Sequence, residues 1–432
     1  FTNSESSFLI FRIIFYSLIF YFYLYFMKYY SPLGVDWLEW HFNRLENAVE
    51  FLKINGYFSH YGFSISSKVE NCSLDKQCSE NSIYLSLFFF SKIFYSLIYE
   101  FLGQNNFKFY GQLIDKFFIF LTGVLISEIL VDNFNKSFSK IQCFFIGAMS
   151  FIFFIINPWT YKMLIASWDI IFFLSFFLLG LLLIHKQKKK IGLTIILFSG
   201  FFEYQSSAGI SVYYILLILI LLLNKNYSIT KLFPFEFKKK NFLLSYNNLI
   251  IIFLILPVIL LFLLQFYFFK NITYIEHGGS SLLTRIGISG NDIHNGGIVG
   301  ALQFLAGNRI TVCFGNDIQY LLDNALKDKS SLLKISIYNC LLSHMSLFIL
   351  SIISILAVLN QLNKETFLRS IISPIIFLIL CNSLILQQSS SVHLMGYSYL
   401  FSVVFSLGIS IIFLNIWKRF KNSFFAIFLF PL

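Results

Sequence analysis

A few carboxylates that border long apolar segments are the residues of this chain best suited to chemistry. Asp36 follows the first apolar segment, Asp169 opens a later one, and Glu203 lies towards the end of the next. A carboxylate held at the end of a helix can take a proton from a hydroxyl group. Ionisable groups at membrane depth are costly, which makes them candidates for function. Asp36 is the principal candidate for a catalytic base, and Asp169 is the second, although each could instead cap its own helix.

Basic side chains between the apolar segments could bind an anionic group such as a phosphate. The planar fork of arginine meets phosphate oxygens bidentately, and lysine and histidine supply further donors. Each of these side chains also fits a solvated position or one among lipid headgroups, so residue type alone leaves both roles open. The candidate substrate-binding residues are His41, Arg44, Lys162, His277, Arg285, Arg309, His393 and, one turn beyond His393, Tyr397.

The composition indicates what surrounds these residues. Hydrophobic residues make up 57% of the 432-residue chain and charged residues only 12%, whereas a soluble domain carries roughly 25% charge. So little charge cannot cover the surface of a water-soluble globule of this size, and the composition therefore predicts an integral membrane protein. The net charge of +11 is then better explained by lysines in cytoplasmic loops than by binding to nucleic acid.

Long apolar segments predict an all-α polytopic membrane protein with about ten transmembrane helices in a single domain, 1–432. A spanning helix needs ~20 mostly apolar residues. Two long connections remain, 29–111 and 270–333, and the other connections are short. The candidate spans are 8–28, 112–132, 142–158, 168–185, 191–206, 208–224, 248–269, 334–358, 370–386 and 395–416.

The distribution of lysine and arginine decides the orientation of these segments. The stretch 82–102 is also apolar, but Lys92 interrupts it and Glu100 lies near its end. If it does not span and the N-terminus is cytoplasmic, nearly all basic residues of the short loops fall inside, as the positive-inside rule requires. The prediction is a multi-pass protein of the inner (cytoplasmic) membrane, with 29–111 and 270–333 extracytoplasmic and 82–102 along the outer interface.

Residues 36–56, in the first outside loop, have the pattern of an amphipathic helix. Apolar side chains recur every three or four residues, and acidic and amide side chains lie on the other side. The apolar stripe consists of Leu38, Phe42, Leu45, Val49 and Leu52. Asp36 with Glu39 three residues later matches a capping box, a role that is compatible with catalysis. Trp37 and Trp40 suit the headgroup level, which predicts a juxtamembrane helix.

A set of short motifs runs through the first half of the chain. They are Gly34-Val35-Asp36, Trp40-His41, Arg44 and Asn55-Gly56-Tyr57, followed by the apolar stretch 84–102, Gly103, the helix from Gly111, Asn157-Pro158-Trp159 and Asp169. A first helix, an acidic residue, His and Arg on a juxtamembrane helix and a Gly-Tyr pair occur in this order. The arrangement resembles the membrane-embedded GT-C glycosyltransferases at the level of the superfamily.

The resemblance implies that a hexose or pentose is transferred from a polyprenyl-phosphate carrier to a glycan, lipid or protein acceptor on the outer side of the membrane. It gives Asp36 the role of a base or of a metal-contacting carboxylate. Several branches of the superfamily have paired acids where this chain has Val35-Asp36, so dependence on Mg²⁺ or Mn²⁺ stays open. The residue types suit the reaction, because the acceptor hydroxyl must lose a proton and the departing phosphate needs cationic donors.

Two other functions fit part of the sequence. An O-antigen polymerase or ligase would use the Arg and His residues of 270–333, but it leaves the helix that begins at Asp36 unexplained. A lipid or polysaccharide transporter would carry charged or broken helices near the bilayer midplane, often in repeated halves. Here most candidate charges stand at the predicted outer ends of helices, so the transporter is the third hypothesis.

Two cysteines in the first outside loop allow a local cross-link. Cys72 and Cys78 bracket five residues, and the outer side of a bacterial cytoplasmic membrane is oxidising. A small disulfide-closed loop and a pair of free thiols both fit this spacing.

Overall fold

A computed structural model describes residues 3–30, 49, 64–65, 83–84, 95–97, 99–101, 103–134, 139–165, 169–224, 246–271, 331–362, 366–384 and 394–419. This part of the chain is almost entirely α-helical, which confirms the predicted all-α class. The exception is one antiparallel pair of two-residue strands, in which Ser64 lies opposite Tyr84.

Besides the helical residues 49, 95–97 and 99–101, eleven helices have both ends in the described ranges and are numbered here in chain order. They are α1 (Asn3–Tyr30), α2 (Gln104–Phe134), α3 (Lys140–Ile156), α4 (Pro158–Ile165), α5 (Ile170–His185), α6 (Lys189–Gly200), α7 (Tyr204–Asn224), α8 (Tyr246–Asn271), α9 (Ser331–Leu362), α10 (Thr366–Leu384) and α11 (Leu394–Arg419). The strands are β1 (Ser64–Ile65) and β2 (Ile83–Tyr84).

Each of the ten apolar segments overlaps at least one helix, but the helices differ in how far they could reach across a membrane. By length and composition, two helices of the described part are long and apolar enough to span, through the windows Phe8–Tyr25 in α1 and Tyr399–Trp417 in α11. The window in α1 is 17% buried and that in α11 is 72% buried. α11 therefore lies in the centre of the bundle, and α1 lies on its outside.

The segment 191–206 forms a shorter helix than the sequence predicts. α6 ends at Gly200, and α7 begins at Tyr204 after the turn 201–203. The backbone N–H of Ser206 donates to the carboxylate of Glu203 over 2.5 Å, so Glu203 is the N-cap of α7. A carboxylate is favoured there because it satisfies an N–H group that has no partner within the helix. The break between these two helices therefore lies at 201–203, a few residues before the predicted break at 207.

α5 and α6 form a tight antiparallel hairpin. Its turn contains Gln187, a non-glycine residue with φ of 64°. Gly180 and Gly192 face each other between the two helices, and a Cβ atom added at Gly192 would lie 2.6 Å from the carbonyl oxygen of Gly180. The close approach of the two backbones therefore depends on both residues lacking a side chain.

Two ion pairs and the parallel packing of α2 on α5 define the two ends of the bundle. Lys186, after α5, pairs with Asp132 in the last turns of α2 (3.1 Å). Asp115 lies 17 residues earlier on α2, a rise of about 25 Å, and Asp169 precedes α5. We call the end of the bundle that holds Asp132 and Lys186 the Lys186 end. The opposite end, which holds Asp115 and Asp169, is the Asp115 end. Arg12 pairs with Glu128 close to the Lys186 end, and the Phe20 ring lies 5.5 Å from the Phe120 ring, two turns nearer Asp115. α1 therefore runs from the Lys186 end towards the Asp115 end.

Candidate functional site

A buried carboxylate and a buried phenol meet at the Asp115 end. The Tyr95 hydroxyl donates a hydrogen bond to the Asp115 carboxylate, and the two residues are 1% and 3% exposed. Burying a carboxylate is costly unless hydrogen bonds compensate for its lost hydration. The phenol supplies such a bond and ties a segment of the predicted first outside loop to α2.

Aromatic rings pack directly beside this pair and join three elements of the bundle. The Phe172 ring of α5 lies 4.6 Å from the Phe118 ring of α2 and 6.0 Å from the Tyr95 ring, measured between centroids. It also stacks on the ring of Phe202, in the turn between α6 and α7, at 5.3 Å. All four rings are buried. Phe172 therefore holds the ends of these elements in a fixed arrangement.

Three carboxylates lie next to members of this ring cluster in the sequence, at one end of the bundle. Asp115 precedes Phe118 by about one turn, Asp169 precedes Phe172 by three residues, and Glu203 follows Phe202 directly. Two of them were singled out from the sequence, Asp169 and Glu203. The structure adds Asp115, which the sequence analysis did not select.

Asp169 is the most exposed carboxylate of this group. It is half-buried, whereas Asp115 and Glu203 are buried. Its carbonyl oxygen accepts hydrogen bonds from the backbone N–H groups of Phe172 and Phe173, both over 3.2 Å. Its side chain makes no capping hydrogen bond to α5. The capping role considered for this side chain is therefore not observed.

A hydroxyl network fixes α2 against α5 one turn deeper in the bundle. The hydroxyl oxygens of Thr122 and Ser175 lie 2.6 Å apart, and the Ser175 hydroxyl also lies 2.9 Å from the carbonyl oxygen of Phe118. The hydroxyl of Tyr399 on α11 is also buried. Tyr399, one of the tyrosines near His393 in sequence, is thus part of the packed core.

The Asn157-Pro158-Trp159 motif joins α3 to α4 at the Asp115 end. The Asn157 side-chain amide donates to the carbonyl of Phe154 (2.6 Å), and its oxygen accepts from the backbone N–H of Thr160 (2.8 Å). Trp159 is fully buried, and its ring centroid lies 4.7 Å from that of Phe401 on α11. This motif acts here as a rigid corner between two helices.

Most of the residues chosen from the sequence lie outside the described residues. Lys162 is on α4 and Tyr397 on α11, and of 36–56 the structure describes Val49, which is helical and buried. The remaining candidates and the cysteine pair lie outside: Asp36, His41, Arg44, Cys72, Cys78, His277, Arg285, Arg309 and His393.

The sequence left open whether the protein depends on a metal ion, and the described side chains do not identify a metal site. Within the ranges that the structure covers, no three His, Cys, Asp or Glu residues lie close enough together to hold an ion. Asp115, Asp169 and Glu203 therefore share an end of the bundle without forming a metal-ligand cluster.

The charges that the sequence analysis missed are those inside apolar segments. Asp115 and Glu128 lie within 112–132, and Arg12 lies within 8–28. Ionisable residues within spanning segments tend to pair with one another inside the bundle, and this signal could have identified all three. Tyr95 carries no comparable signal, because its partner is known only from the folded chain.

Comparison of the chain with family models, with curated proteins and with solved structures finds no match.

Proposed function

We propose that this chain is a multi-pass protein of the cytoplasmic membrane that transfers a sugar from a polyprenyl-phosphate carrier to an acceptor on the outer side. The observation that carries the proposal is the gathering of Asp115, Asp169 and Glu203 at one end of an apolar helix bundle. In this orientation the Lys186 end faces the cytoplasm and the Asp115 end faces outward. About ten helices cross the bilayer, with juxtamembrane helices in 29–111.

The apolar surface of α1 supports the membrane part of the proposal. Large side chains on this helix are exposed although they are hydrophobic, and in water such a continuous patch would be unfavourable. Lipid tails remove the cost of exposing them. The exposed side chains are Ile10, Phe11, Ile13, Ile14, Leu18, Tyr21, Phe22 and Tyr25.

The position of α1 supports a role for Asp36 at the same end. Since the contacts of Arg12 with Glu128 and of Phe20 with Phe120 direct α1 from the Lys186 end towards the Asp115 end, its C-terminal residue, Tyr30, lies towards the Asp115 end. Asp36 follows six residues later, and six residues span at most about 21 Å. The chain can therefore bring Asp36 to the end of the bundle where Asp169 lies.

The proposed roles follow the chemistry of the residues. Asp36 takes the proton from the acceptor hydroxyl as it attacks the anomeric carbon. Asp169 orients the sugar, because a carboxylate accepts hydrogen bonds from its hydroxyl groups. Cations bind the phosphate that leaves with the carrier. The proposed binding residues are His41, Arg44, Lys162, His277, Arg285, Arg309, His393 and Tyr397.

Sugar transfer by purified variants tests this proposal. Polyprenyl phosphates loaded with single radiolabelled hexoses or pentoses serve as donors, and transfer to envelope glycan, lipid or protein is measured. Asp36→Asn keeps much of a cap's geometry but removes the base, so its rate falls by ~10²–10⁴-fold. Asp132→Asn, which changes a carboxylate at the opposite end, is the matched control and keeps near-normal transfer.

The outcomes separate catalysis from helix capping. Near-normal transfer by Asp36→Asn, at equal amounts of folded protein, would reduce Asp36 to a cap. Absence of transfer by the wild-type protein with every donor of the panel would reject the glycosyltransferase proposal itself.

A transporter of lipid or polysaccharide is the second candidate, and one observation favours it. Arg12 and Glu128 form a buried ion pair inside the apolar part of the bundle, and intramembrane charges often mark transport pathways. The paired variant Arg12→Met/Glu128→Leu discriminates the two functions. It abolishes movement of a charged substrate through this region, and it leaves sugar transfer at the Asp115 end intact.

A further inference from the structure

A half-buried lysine, Lys116, lies on α2 at the Asp115 end, among exposed apolar side chains. Phe109, Leu113 and Phe117 are each more than half exposed. Residues three, four or seven apart lie on the same side of a helix, so these side chains and Lys116 share one side of the outer part of α2. We call this feature the Lys116 surface.

α1 packs against the neighbouring part of α2 and leaves the Lys116 surface open. The Phe20 ring of α1 lies 5.5 Å from the Phe120 ring of α2, measured between centroids. Phe120 is about one turn deeper than Lys116 on the same side of the helix. Leu113 and Phe117 are exposed beyond that contact. In the proposed orientation, lipid therefore reaches α2 between its contact with α1 and the outer side of the membrane.

The charge of Lys116 is available to an anionic ligand. In the part of the chain that the structure describes, no carboxylate forms an ion pair with this lysine. Asp115, the preceding residue, attracts its ammonium group electrostatically, but the Asp115 carboxylate accepts the hydrogen bond from Tyr95. A cation at the edge of an apolar surface is suited to a ligand that has both an anionic and an apolar part.

The direction of the Lys116 side chain sets the level of its charge. Side chains of a helix lean towards its N-terminus, and the N-terminus of α2 is at the Asp115 end. A lysine stem can lie along apolar surface while the ammonium group stays at the membrane interface. Lys116 is four residues, or ~6 Å, inside the start of the predicted span 112–132. The ammonium group is therefore expected at the level of lipid phosphates.

We propose that Lys116 binds the phosphate of the polyprenyl-phosphate donor, whose chain lies along Leu113 and Phe117 in the outer leaflet. The ammonium group donates a charge-assisted hydrogen bond to a phosphate oxygen. This inference rests on the proposed function and adds to it a binding residue on α2. The donor is favoured over bulk phospholipid because Lys116 directly follows Asp115, which is bonded to the predicted first outside loop.

Binding of polyprenyl phosphate to the full-length protein tests this inference separately from sugar transfer. The protein is titrated in detergent with polyprenyl phosphate or with polyprenol of the same length, and bound lipid is measured by native mass spectrometry. Lys116→Gln is expected to weaken binding of polyprenyl phosphate by at least ~10-fold and to leave binding of polyprenol unchanged. Lys116→Arg is expected to keep most of the affinity, because arginine also donates to phosphate.

Two further variants separate the phosphate from the chain. Leu113→Ala/Phe117→Ala changes only exposed side chains and is expected to weaken binding of both lipids to the same extent. Lys189→Gln, which removes a half-buried lysine at the Lys186 end, is the matched control and is expected to bind both lipids like the wild type. Lys116→Met keeps the apolar stem of the side chain and carries the same test if Lys116→Gln does not fold.

Three results would overturn the inference. The first is binding of polyprenyl phosphate to Lys116→Gln with wild-type affinity. The second is a wild-type protein that binds polyprenyl phosphate no better than polyprenol. The third is displacement of polyprenyl phosphate by an equal concentration of phosphatidylglycerol, because Lys116 would then bind lipid headgroups in general. Sugar transfer by the wild type together with unchanged binding by Lys116→Gln would reject the site and keep the reaction. Weakened binding by Lys116→Gln without transfer by the wild type would reject the reaction and keep the site.

Discussion

Arg12 and Glu128 form a bidentate ion pair inside the helix bundle, although 116 residues separate them in the sequence. Arg12 Nε lies 2.9 Å from Glu128 Oε1, and Arg12 Nη2 lies 2.6 Å from Glu128 Oε2. Both residues are buried. The guanidinium also lies over the Phe8 ring, 5.2 Å from its centroid. This pair connects α1, on the outside of the bundle, to α2.

Breaking this pair from one side is expected to destabilise the protein strongly. Glu128→Leu leaves the Arg12 charge buried and unpaired, which costs ~3–5 kcal/mol, whereas Arg12→Met/Glu128→Leu replaces both charges and recovers most of the loss. Thermal unfolding in a mild detergent measures the difference between the two variants. If the single and double variants unfold at the same temperature, the pair does not hold α1 in place.

The glycines between α5 and α6 are expected to be sensitive to a single added methyl group. A Cβ at Gly192 would lie 2.6 Å from the Gly180 carbonyl oxygen, so the backbones must separate. Gly192→Ala is therefore expected to cost ~1–3 kcal/mol. Gly209→Ala is the matched control, since the three atoms nearest to its Cβ would all belong to the Leu378 side chain, at 3.2 Å or more, and none to the backbone. Alanine also favours helix. Unchanged stability of Gly192→Ala would show that the hairpin can spread freely.

The helices were predictable from the sequence because their signal is local. An apolar run such as 142–158 or 395–416 excludes charge over its whole length, and α3 and α11 follow these runs to within three residues. The break between α6 and α7 was predicted at residue 207, between the segments 191–206 and 208–224, and it lies at 201–203. The difference arises at Glu203. Its role as the cap of α7 becomes visible only through the bond to Ser206.

The orientation of the bundle is testable with two cysteine variants in a background without native cysteines. Lys188 lies in the exposed turn after α5, at the Lys186 end. Phe101, whose side chain is 81% exposed, lies near the Asp115 end. A membrane-impermeant maleimide is expected to label Phe101→Cys in intact cells and Lys188→Cys only after the cells are opened. The reverse pattern would invert the proposed topology and place the three carboxylates on the cytoplasmic side.

The candidate site was only partly predictable, because its contacts join residues that are distant in sequence. Asp169 and Glu203 were selected from their positions at the ends of apolar segments. Asp115 was not, since the choice of candidates favoured charges at segment ends, and Asp115 lies within 112–132. What identifies it is the Tyr95 hydroxyl, 20 residues earlier in the chain. No local pattern specifies such a pair.

The bond between Tyr95 and Asp115 is expected to couple the predicted first outside loop to α2. Tyr95→Phe removes the phenol that donates to a buried carboxylate, which is expected to cost ~1–3 kcal/mol. If this bond helps to position the loop that carries Asp36, transfer should fall in Tyr95→Phe even at temperatures where the variant is folded. Tyr110→Phe, on α2 near Asp115, removes a hydroxyl from a half-buried position and is the control.

A double-mutant cycle separates positioning from general destabilisation. If the two groups act through their shared bond, Tyr95→Phe/Asp115→Leu loses less than the sum of the two single variants, with a coupling of ~0.5–3 kcal/mol. The same cycle is then measured for transfer, where the loss should appear in kcat as well as in stability, because a misplaced base slows the chemical step. Additive losses in stability would mean that the bond contributes nothing of its own. A loss of stability with unchanged kcat would restrict Tyr95 and Asp115 to holding the fold.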